Sequence, residues 1–220
     1  MAIQVQGNAG IIAEVESASR AVRTTPRPID IGSLGSYSVG MTSGVMAAGL
    51  AANSEIFQFH WSNSANLALI RRVTISGGNA GTAFAAGVAI FGMRTARAFT
   101  AVGSGGTTAT LAGNDQKRRT SFGTTLLTSA ADIRIASTAA LGTGTKTLDN
   151  NDLGSATAGV LATAGTTVVP VPTDLYAPNF SGEWPLVLAQ NEGFVIRATV
   201  PATGTWTFSV TVEWTEIASF

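Results

Sequence analysis

The chain has 220 residues, of which 45% are hydrophobic and only 12% are charged, and its 13 basic and 13 acidic residues cancel. Ordinary globular domains carry about 25% charged residues, so this weak charge favours a surface that other subunits cover, or one that Ser and Thr hydroxyls hydrate. The zero net charge provides no field that would attract nucleic acid or an acidic membrane, and the absence of Cys excludes disulfides and thiolate metal sites.

The first 53 residues show little regular periodicity and no pattern of a signal peptide. Residues 13–22 fit a short helix that Pro26 and Pro28 would end. Two interpretations are open: a loop-rich lead-in that packs on its own domain, or an extended N-terminal arm that lies across a neighbouring subunit. In the second interpretation, the side chains that form the interface are Ile11, Ile12, Val15, Arg20, Arg23, Met41, Val45, Met46 and Leu50.

Strand patterns begin at residue 55. The stretch EIFQFHW (55–61) places three aromatic side chains on one face, and LALIRRVTIS (67–76) follows after five polar residues, so a hairpin is predicted. Residues 83–94 would form a third strand. They are also the most apolar window of the chain, and this window is shorter than the about 20 residues that a membrane-spanning helix needs. We therefore expect no membrane association.

The middle of the chain, at about 99–170, is rich in Gly, Thr and Ala and has no repeat period. Small residues give little contrast between the two faces of a strand, so no strand is predicted with a definite register. Long loops on a β scaffold commonly carry contacts. We interpret this region as long Gly/Thr-rich loops.

The C-terminal part carries the clearest strand pattern. In TWTFSVTVEWTE (205–216), apolar and polar side chains alternate, which gives one apolar and one polar face. A strand of about ten residues is long and would invite aggregation at a sheet edge, so it is predicted to be central, with neighbours on both sides. Residues 186–200 are predicted to form two further strands joined by a tight turn, and the three strands together a closing meander.

These patterns predict an all-β fold, an antiparallel β-sandwich of jelly-roll type with an extended N-terminal arm. The arm would comprise residues 1–53 and the sandwich residues 54–220. The side chains predicted to form the core are Phe57, Phe59, Trp61, Phe194, Ile196, Trp206, Phe208, Val210, Val212 and Trp214.

No stretch of the sequence carries a catalytic motif. His60, the one His, lies on the polar side of its predicted strand, and no acid or nucleophile is tied to it by spacing. A catalytic triad can assemble through space, but a surface or interface position is the simpler interpretation. GTGTKT (142–147) has Thr145 where a phosphate-binding loop needs Gly, and is interpreted as a flexible loop. We therefore expect a protein that is not an enzyme and that binds no cofactor.

Two further charged stretches are weak candidates for binding sites. DNNDLG (149–154) resembles the start of a calcium loop, but Val160 stands at the twelfth position, where a bidentate Glu is required. A polar turn is the main interpretation, with a weak cation site as the alternative. QKRRT (116–120) has no interleaved aromatic residues for single-stranded nucleic acid, so a solvated loop or an ion-pairing patch against a neighbouring subunit is favoured. We expect no metal site and no nucleic-acid partner.

Two stretches resemble a known class of protein. LVLAQNEGFVIRATVPATGTWTFSVTVEW (186–214) is similar to the closing region of structural proteins from tailed-bacteriophage virions, and AEVESASRAVRTTPRPIDIGSLGSYSVGMTSG (13–44) has a similar character near the start. The resemblance implies a jelly roll or a related sandwich, present in many copies on the surface of the virion or in its tail. We expect a homo-oligomer, with a trimer favoured, in contact with the major capsid protein or other virion proteins.

Three functions are compatible with this sequence. The first is a non-enzymatic capsid decoration or cement protein that bridges capsid subunits. The second is a tail-fibre or other host-binding module whose central loops hold a surface carbohydrate. The third is a hydrolase of cell-surface glycans, which would need a pair of carboxylates that no spacing in this sequence marks.

Overall fold

The computed structural model describes residues 34–47, 49–111, 116–127, 129–160, 162, 169–179 and 184–219. These residues form twelve β-strands and one 3₁₀ turn, with no α-helix among them. The strands are β1 (Gly35–Thr42), β2 (Ser54–Trp61), β3 (Leu67–Asn79), β4 (Gly87–Ala101), β5 (Thr107–Thr108), β6 (Ile133–Ile135), β7 (Thr145–Leu148), β8 (Gly154–Val160), β9 (Val169–Tyr176), β10 (Val187–Leu188), β11 (Glu192–Thr199) and β12 (Trp206–Ile217), and the turn is η1 (Ala130–Asp132).

The strands form two antiparallel sheets that pack face to face. The first sheet has the order β1-β12-β3-β10, with β9 also paired to β3. The second has the order β5-β6-β2-β11-β4-β7, with β8 also paired to β4. The prediction of an all-β antiparallel sandwich is confirmed.

The core lies between the two sheets and is rich in aromatic side chains. Phe59 of β2 stacks on Phe194 of β11 with ring centroids 5.2 Å apart, and it meets Trp214 of β12 edge-on at 5.6 Å. Burying an aromatic or large aliphatic side chain contributes about 1.5–3 kcal/mol. The structure places all ten sequence-derived core residues here, each with 0–1% of its surface exposed: Phe57, Phe59, Trp61, Phe194, Ile196, Trp206, Phe208, Val210, Val212 and Trp214.

The long C-terminal strand β12 is central, as its length predicts. It pairs with β1 on one side and with β3 on the other, so both of its edges are hydrogen-bonded. The polar side chains that alternate with its core-facing residues point away from the core and are half-buried, with one exception. Thr215 is fully buried, next to a β-bulge that shifts the register with β3 between Glu213 and Trp214.

The boundary at residue 53 between arm and sandwich is wrong. Residues 35–42 form β1, which pairs with β12 along its whole length. Beyond β1, Met46 is fully buried in the core, and its backbone N–H donates to Trp206 O at 2.7 Å. The Gly and Ser residues between Tyr37, Val39 and Met41 weaken the apolar alternation of β1, which is why the sequence pattern does not mark it.

The proposed arm interface is only partly described. Met41 and Leu50 are half-buried against the core of their own chain, and Val45 is half-exposed. With Met46, these side chains therefore belong to, or lie beside, the sandwich rather than a separate arm. The remaining residues proposed for the arm, and the helix predicted for 13–22, lie outside the described residues: Ile11, Ile12, Val15, Arg20 and Arg23.

Two predicted chain connections are also wrong. β2 and β3 do not form a hairpin, because β2 pairs with β11 and β6 in the second sheet while β3 lies in the first. The last three strands do not form a meander, because β10 and β12 lie in the first sheet and β11 in the second. Alternation indicates which face of a strand is apolar, but both sheets present the same kind of apolar face.

The middle region is not only loops. It contains the end of β4 and the strands β5, β6, β7 and β8, and β8 pairs with β4 over seven residues. The predicted strand at 83–94 is displaced, since β4 runs over Gly87–Ala101. In β8, GSATAGV, polar and apolar residues do alternate, but Ala is too small for the alternation to stand out.

Candidate functional site

The polar face of β2 is buried beneath the middle of the chain. The pairing of β2 with β11 passes from Phe57 directly to Glu55, so Ile56 is an extra residue in a β-bulge. Gln58 is fully buried, donates from Nε2 to Glu55 Oε2 at 2.6 Å and accepts from the Gly103 N–H at 2.8 Å. A row that the sequence pattern assigns to solvent is therefore an internal polar layer.

His60 lies in this layer and has an acidic partner that its sequence neighbourhood does not reveal. Its Nδ1 is 2.8 Å from Oδ1 of Asp132, the last residue of η1, and both side chains are buried. The Ser62 hydroxyl donates to the other carboxylate oxygen of Asp132 at 2.5 Å. The His60 ring also packs against Phe99, with centroids 4.8 Å apart. The interpretation of His60 as a surface or interface residue is wrong.

This arrangement differs from a hydrolytic triad. In a triad the hydroxyl bonds to the second ring nitrogen of the His, whose first nitrogen is held by the acid. Here Ser62 bonds to Asp132 instead, and His60 Nε2 is buried without a hydrogen-bond partner. The geometry holds η1 against β2 and, within the described residues, presents no hydroxyl to His60 Nε2.

A buried ion pair lies beside the same layer. Lys146 Nζ of β7 is 2.8 Å from Glu55 Oε2, and the two side chains are only 3% and 5% exposed. The ammonium group also lies 4.9 Å from the centre of the Phe99 ring and donates to Thr143 O. The interpretation of GTGTKT as a flexible loop is wrong, because Lys146 fixes this stretch on β2.

The acidic residues of DNNDLG bind arginines of the second sheet. Asp152 Oδ1 is 2.9 Å from Arg94 Nε and 3.0 Å from a terminal nitrogen of Arg197. Asp149 lies 3.6 Å from Arg97. Guanidinium groups occupy the positions that a cation would take, so the loop is a polar turn on the sheet and the cation alternative is not supported. Among the described residues, no group of three His, Asp or Glu side chains is placed to hold a metal ion.

The basic stretch QKRRT lies against the edge of β1. Ser38 N–H donates to Gln116 O at 2.7 Å, and Arg118 N–H donates to Ser36 O at 2.9 Å. The Arg118 side chain forms an ion pair with Glu213 of β12 at 2.5 Å. The stretch therefore covers part of an edge of its own sheet. Arg118 does form an ion pair, but with its own chain and not with the neighbouring subunit that was predicted.

A second internal carboxylate joins the middle region to the first sheet. Glu216 of β12 is fully buried and accepts from the Thr125 hydroxyl at 2.5 Å and from the Leu126 N–H. Burial raises the pKa of Glu216, against the lowering effect of these bonds. Burial, with a smaller effect of the Glu216 charge, also raises the pKa of Tyr37 to about 12.

The exposed surface of the second sheet has an uncharged strip. It consists of Val88 and Ile90 of β4, which are 49% and 43% exposed, and the exposed Ser155, Thr157 and Gly159 of β8. The register places Val88 opposite Gly159 and Ile90 opposite Thr157. We call this set of five residues the β4–β8 strip.

A single aromatic side chain is prominent elsewhere. Trp184, just before β10, is 81% exposed, more than any other large hydrophobic side chain of the described residues. The sequence pattern offered no reason to select it or the β4–β8 strip, since both depend on which face of the fold remains uncovered.

Comparison with known proteins gives no identification. No protein-family model matches the chain, and neither a curated protein nor a solved structure matches it. Within the ranges described, no helix is both long enough and apolar enough to cross a membrane.

Proposed function

We infer that the sandwich is a jelly roll. Eight strands, taken in chain order, are β1, β2, β3, β4, β8, β9, β11 and β12. The first sheet then contains the first, eighth, third and sixth of these strands side by side, and the second sheet contains the second, seventh, fourth and fifth. This alternation of the chain between two four-stranded sheets supports the jelly-roll assignment. The strands β5, β6 and β7 then belong to an insertion between the fourth and fifth strands.

We propose that the protein is a non-enzymatic structural protein of a tailed-bacteriophage virion, most specifically a decoration or cement protein that bridges capsid subunits. The jelly-roll strand order is the observation that carries the proposal, because this architecture is common in viral capsid domains. The resemblance of residues 186–214 to virion structural proteins points in the same direction.

The distribution of charge supports assembly over catalysis. Asp152, Lys146 and Glu216 are bound to groups of their own chain, and His60 carries no activated nucleophile. The β4–β8 strip, by contrast, is uncharged and exposed. Surfaces of this kind mark protein interaction sites when they are contiguous.

The proposal is tested on particles. Virions purified from cells that produce this chain should contain it in many copies, at a fixed ratio to the major capsid protein by quantitative mass spectrometry, and electron cryo-microscopy should locate it on the head. Its absence from purified particles would refute the proposal. A copy number typical of fibres, with a location at the tail, would refute the decoration role alone.

A host-binding module is the second candidate, and Trp184 is the observation that favours it. Jelly rolls also occur in lectins, and the exposed ring of Trp184 offers an apolar face on which a sugar ring can pack. Binding to host-cell glycans that is lost in Trp184→Ala, while Val45→Ala retains it, would support this function. Equal binding by both variants would exclude Trp184 as the contact.

A further inference from the structure

Most edge strands of this sandwich are protected against pairing with another chain. β5 and β10 have two residues each, β7 carries the buried Lys146, and β9 contains Pro170 and Pro172, which lack a backbone N–H. Residues 116–118 bond to the edge of β1. Short strands, inward charges, prolines and covering segments are the ordinary means by which natural sheets block edge pairing.

β8 has none of these protections. It contains seven residues, GSATAGV, without a charge or a proline. It pairs with β4 on one side, and among the described residues no hydrogen bond from any other element reaches it. A Cβ atom built on Gly159 would meet no atom within 4 Å. The start of β8 is in contact with β9, because the backbone of Leu175 lies against Gly154. The outer face of β8, with Ser155, Thr157 and Gly159, is open within the described part of the chain.

The side chains of β8 that flank Thr157 are similar in size on its two sides. If two copies of β8 pair antiparallel with Thr157 on the twofold axis, Ala156 faces Ala158, and Ser155 faces Gly159. Small residues thus oppose small residues at the five central positions, while Gly154 faces Val160 at each end. The two Thr157 side chains meet as a Thr–Thr pair, which is favourable between strands.

The charges near β8 also permit a second copy. The β4–β8 strip carries no charge. Asp152, two residues before β8, is paired with Arg94 and Arg197, and Asp174 of β9 is paired with Arg72. Like charges that face each other across a strand pair are destabilising, and this pairing creates none. A second copy therefore meets no electrostatic opposition at this edge.

We propose that β8 is a self-association edge: two copies of this chain pair β8 to β8, antiparallel about Thr157, and join their second sheets into one continuous sheet. The proposal does not depend on the function proposed above. Such pairing is isologous, the symmetry of most homodimers, and the two β4–β8 strips would lie side by side on one face.

The size of the contact sets its strength. Seven residues at about 3.3 Å each give a seam about 23 Å long, and stable interfaces bury about 1,200 Å² or more. A single strand pair with its flanking strip lies at the low end of this range. We expect a weak, concentration-dependent dimer in solution. A high local concentration in an assembly would shift the equilibrium towards the dimer.

The test uses full-length protein in sedimentation velocity over a concentration series. Wild type should shift from monomer to dimer, and Thr157→Lys and Thr157→Glu should each weaken dimerisation about tenfold or more, which corresponds to about 1.4 kcal/mol. Because residue 157 faces itself across the axis, an equimolar mixture of the two variants should dimerise again. The matched control is Thr100→Lys, which adds the same charge at an exposed position of β4 outside its pairing with β8.

Each outcome decides the proposal. Circular dichroism and thermal melts first establish that the variants fold. Wild type that stays monomeric at all concentrations, or association that Thr157→Lys leaves unchanged, would overturn self-association through β8. Failure of the mixture to dimerise, with both single variants monomeric, would overturn the pairing about Thr157.

Discussion

Replacement of Lys146 by Met should destabilise the protein strongly, because it leaves a buried carboxylate without its cation. Lys146 Nζ and Glu55 Oε2 are 2.8 Å apart, and neither side chain is more than 5% exposed. Removing one member of such a pair costs about 3–5 kcal/mol. Glu55 keeps the hydrogen bond from Gln58 Nε2 at 2.6 Å, so we expect the lower end, about 3 kcal/mol.

This magnitude can be measured by urea unfolding with Trp fluorescence, since Trp61, Trp206 and Trp214 are fully buried. For a chain of this size, 1 kcal/mol shifts the melting temperature by about 2–4 °C, so Lys146→Met should lower it by about 6–12 °C. The control is Arg72→Met. Arg72 bonds to Asp174 through two nitrogens, but these side chains are 48% and 41% exposed, and exposed pairs contribute about 0–1 kcal/mol.

A double variant separates the loss of the ion pair from the loss of packing. Adding Glu55→Gln to Lys146→Met removes the unpaired charge, so it should recover part of the lost stability. If Lys146→Met were as well tolerated as Arg72→Met, the middle region would not be held on β2 by this pair. The description of residues 142–148 as a fixed part of the sandwich would then be wrong.

Three other expectations concern the core, the pH dependence and the N-terminal segment. Phe208→Ala should lower the free energy of unfolding by about 3–5 kcal/mol, whereas Ser209→Ala, on the outer face, should change it little; equal effects in urea melts would show that β12 does not face the core. The pKa of Tyr37 is raised from 10.0 to about 12, so the stability that this shift gives the folded state is fully present below pH 10 and is lost as the pH rises through about 12. Tyr37→Phe should therefore flatten the alkaline limb of a plot of unfolding free energy against pH, and an unchanged limb would contradict this. Deletion of residues 1–53 removes β1 and Met46 and should abolish cooperative unfolding; a truncated chain that melts as cooperatively as the full chain would refute the assignment of β1.

The sequence by itself determined the fold class and much of the core. In β12 the large side chains from Trp206 to Trp214 stand at every second position, and only a strand with one buried face uses that pattern. The length of this strand also indicated its central place. These are local properties, since the direction of each side chain follows from the backbone of its own strand.

The tertiary structure alone decided which strands are neighbours. The apolar rows of β2 and β3 look alike in sequence, yet the two strands lie in opposite sheets. β1 and β8 were missed because Gly, Ser and Ala give little contrast between faces. A strand of small residues is stabilised by the partner beside it, and that partner is distant in the chain.

The internal polar layer was beyond sequence reasoning for the same reason. His60 and Asp132 are 72 residues apart in the chain, and Glu55 meets Lys146 only because the middle region folds back over β2. A polar side chain on the outer face of a strand has the same pattern in sequence whether water or another segment covers it. Whether it is a surface residue, as on β8, or an internal one, as His60 is, depends on packing between segments, and that packing exists only in the folded chain.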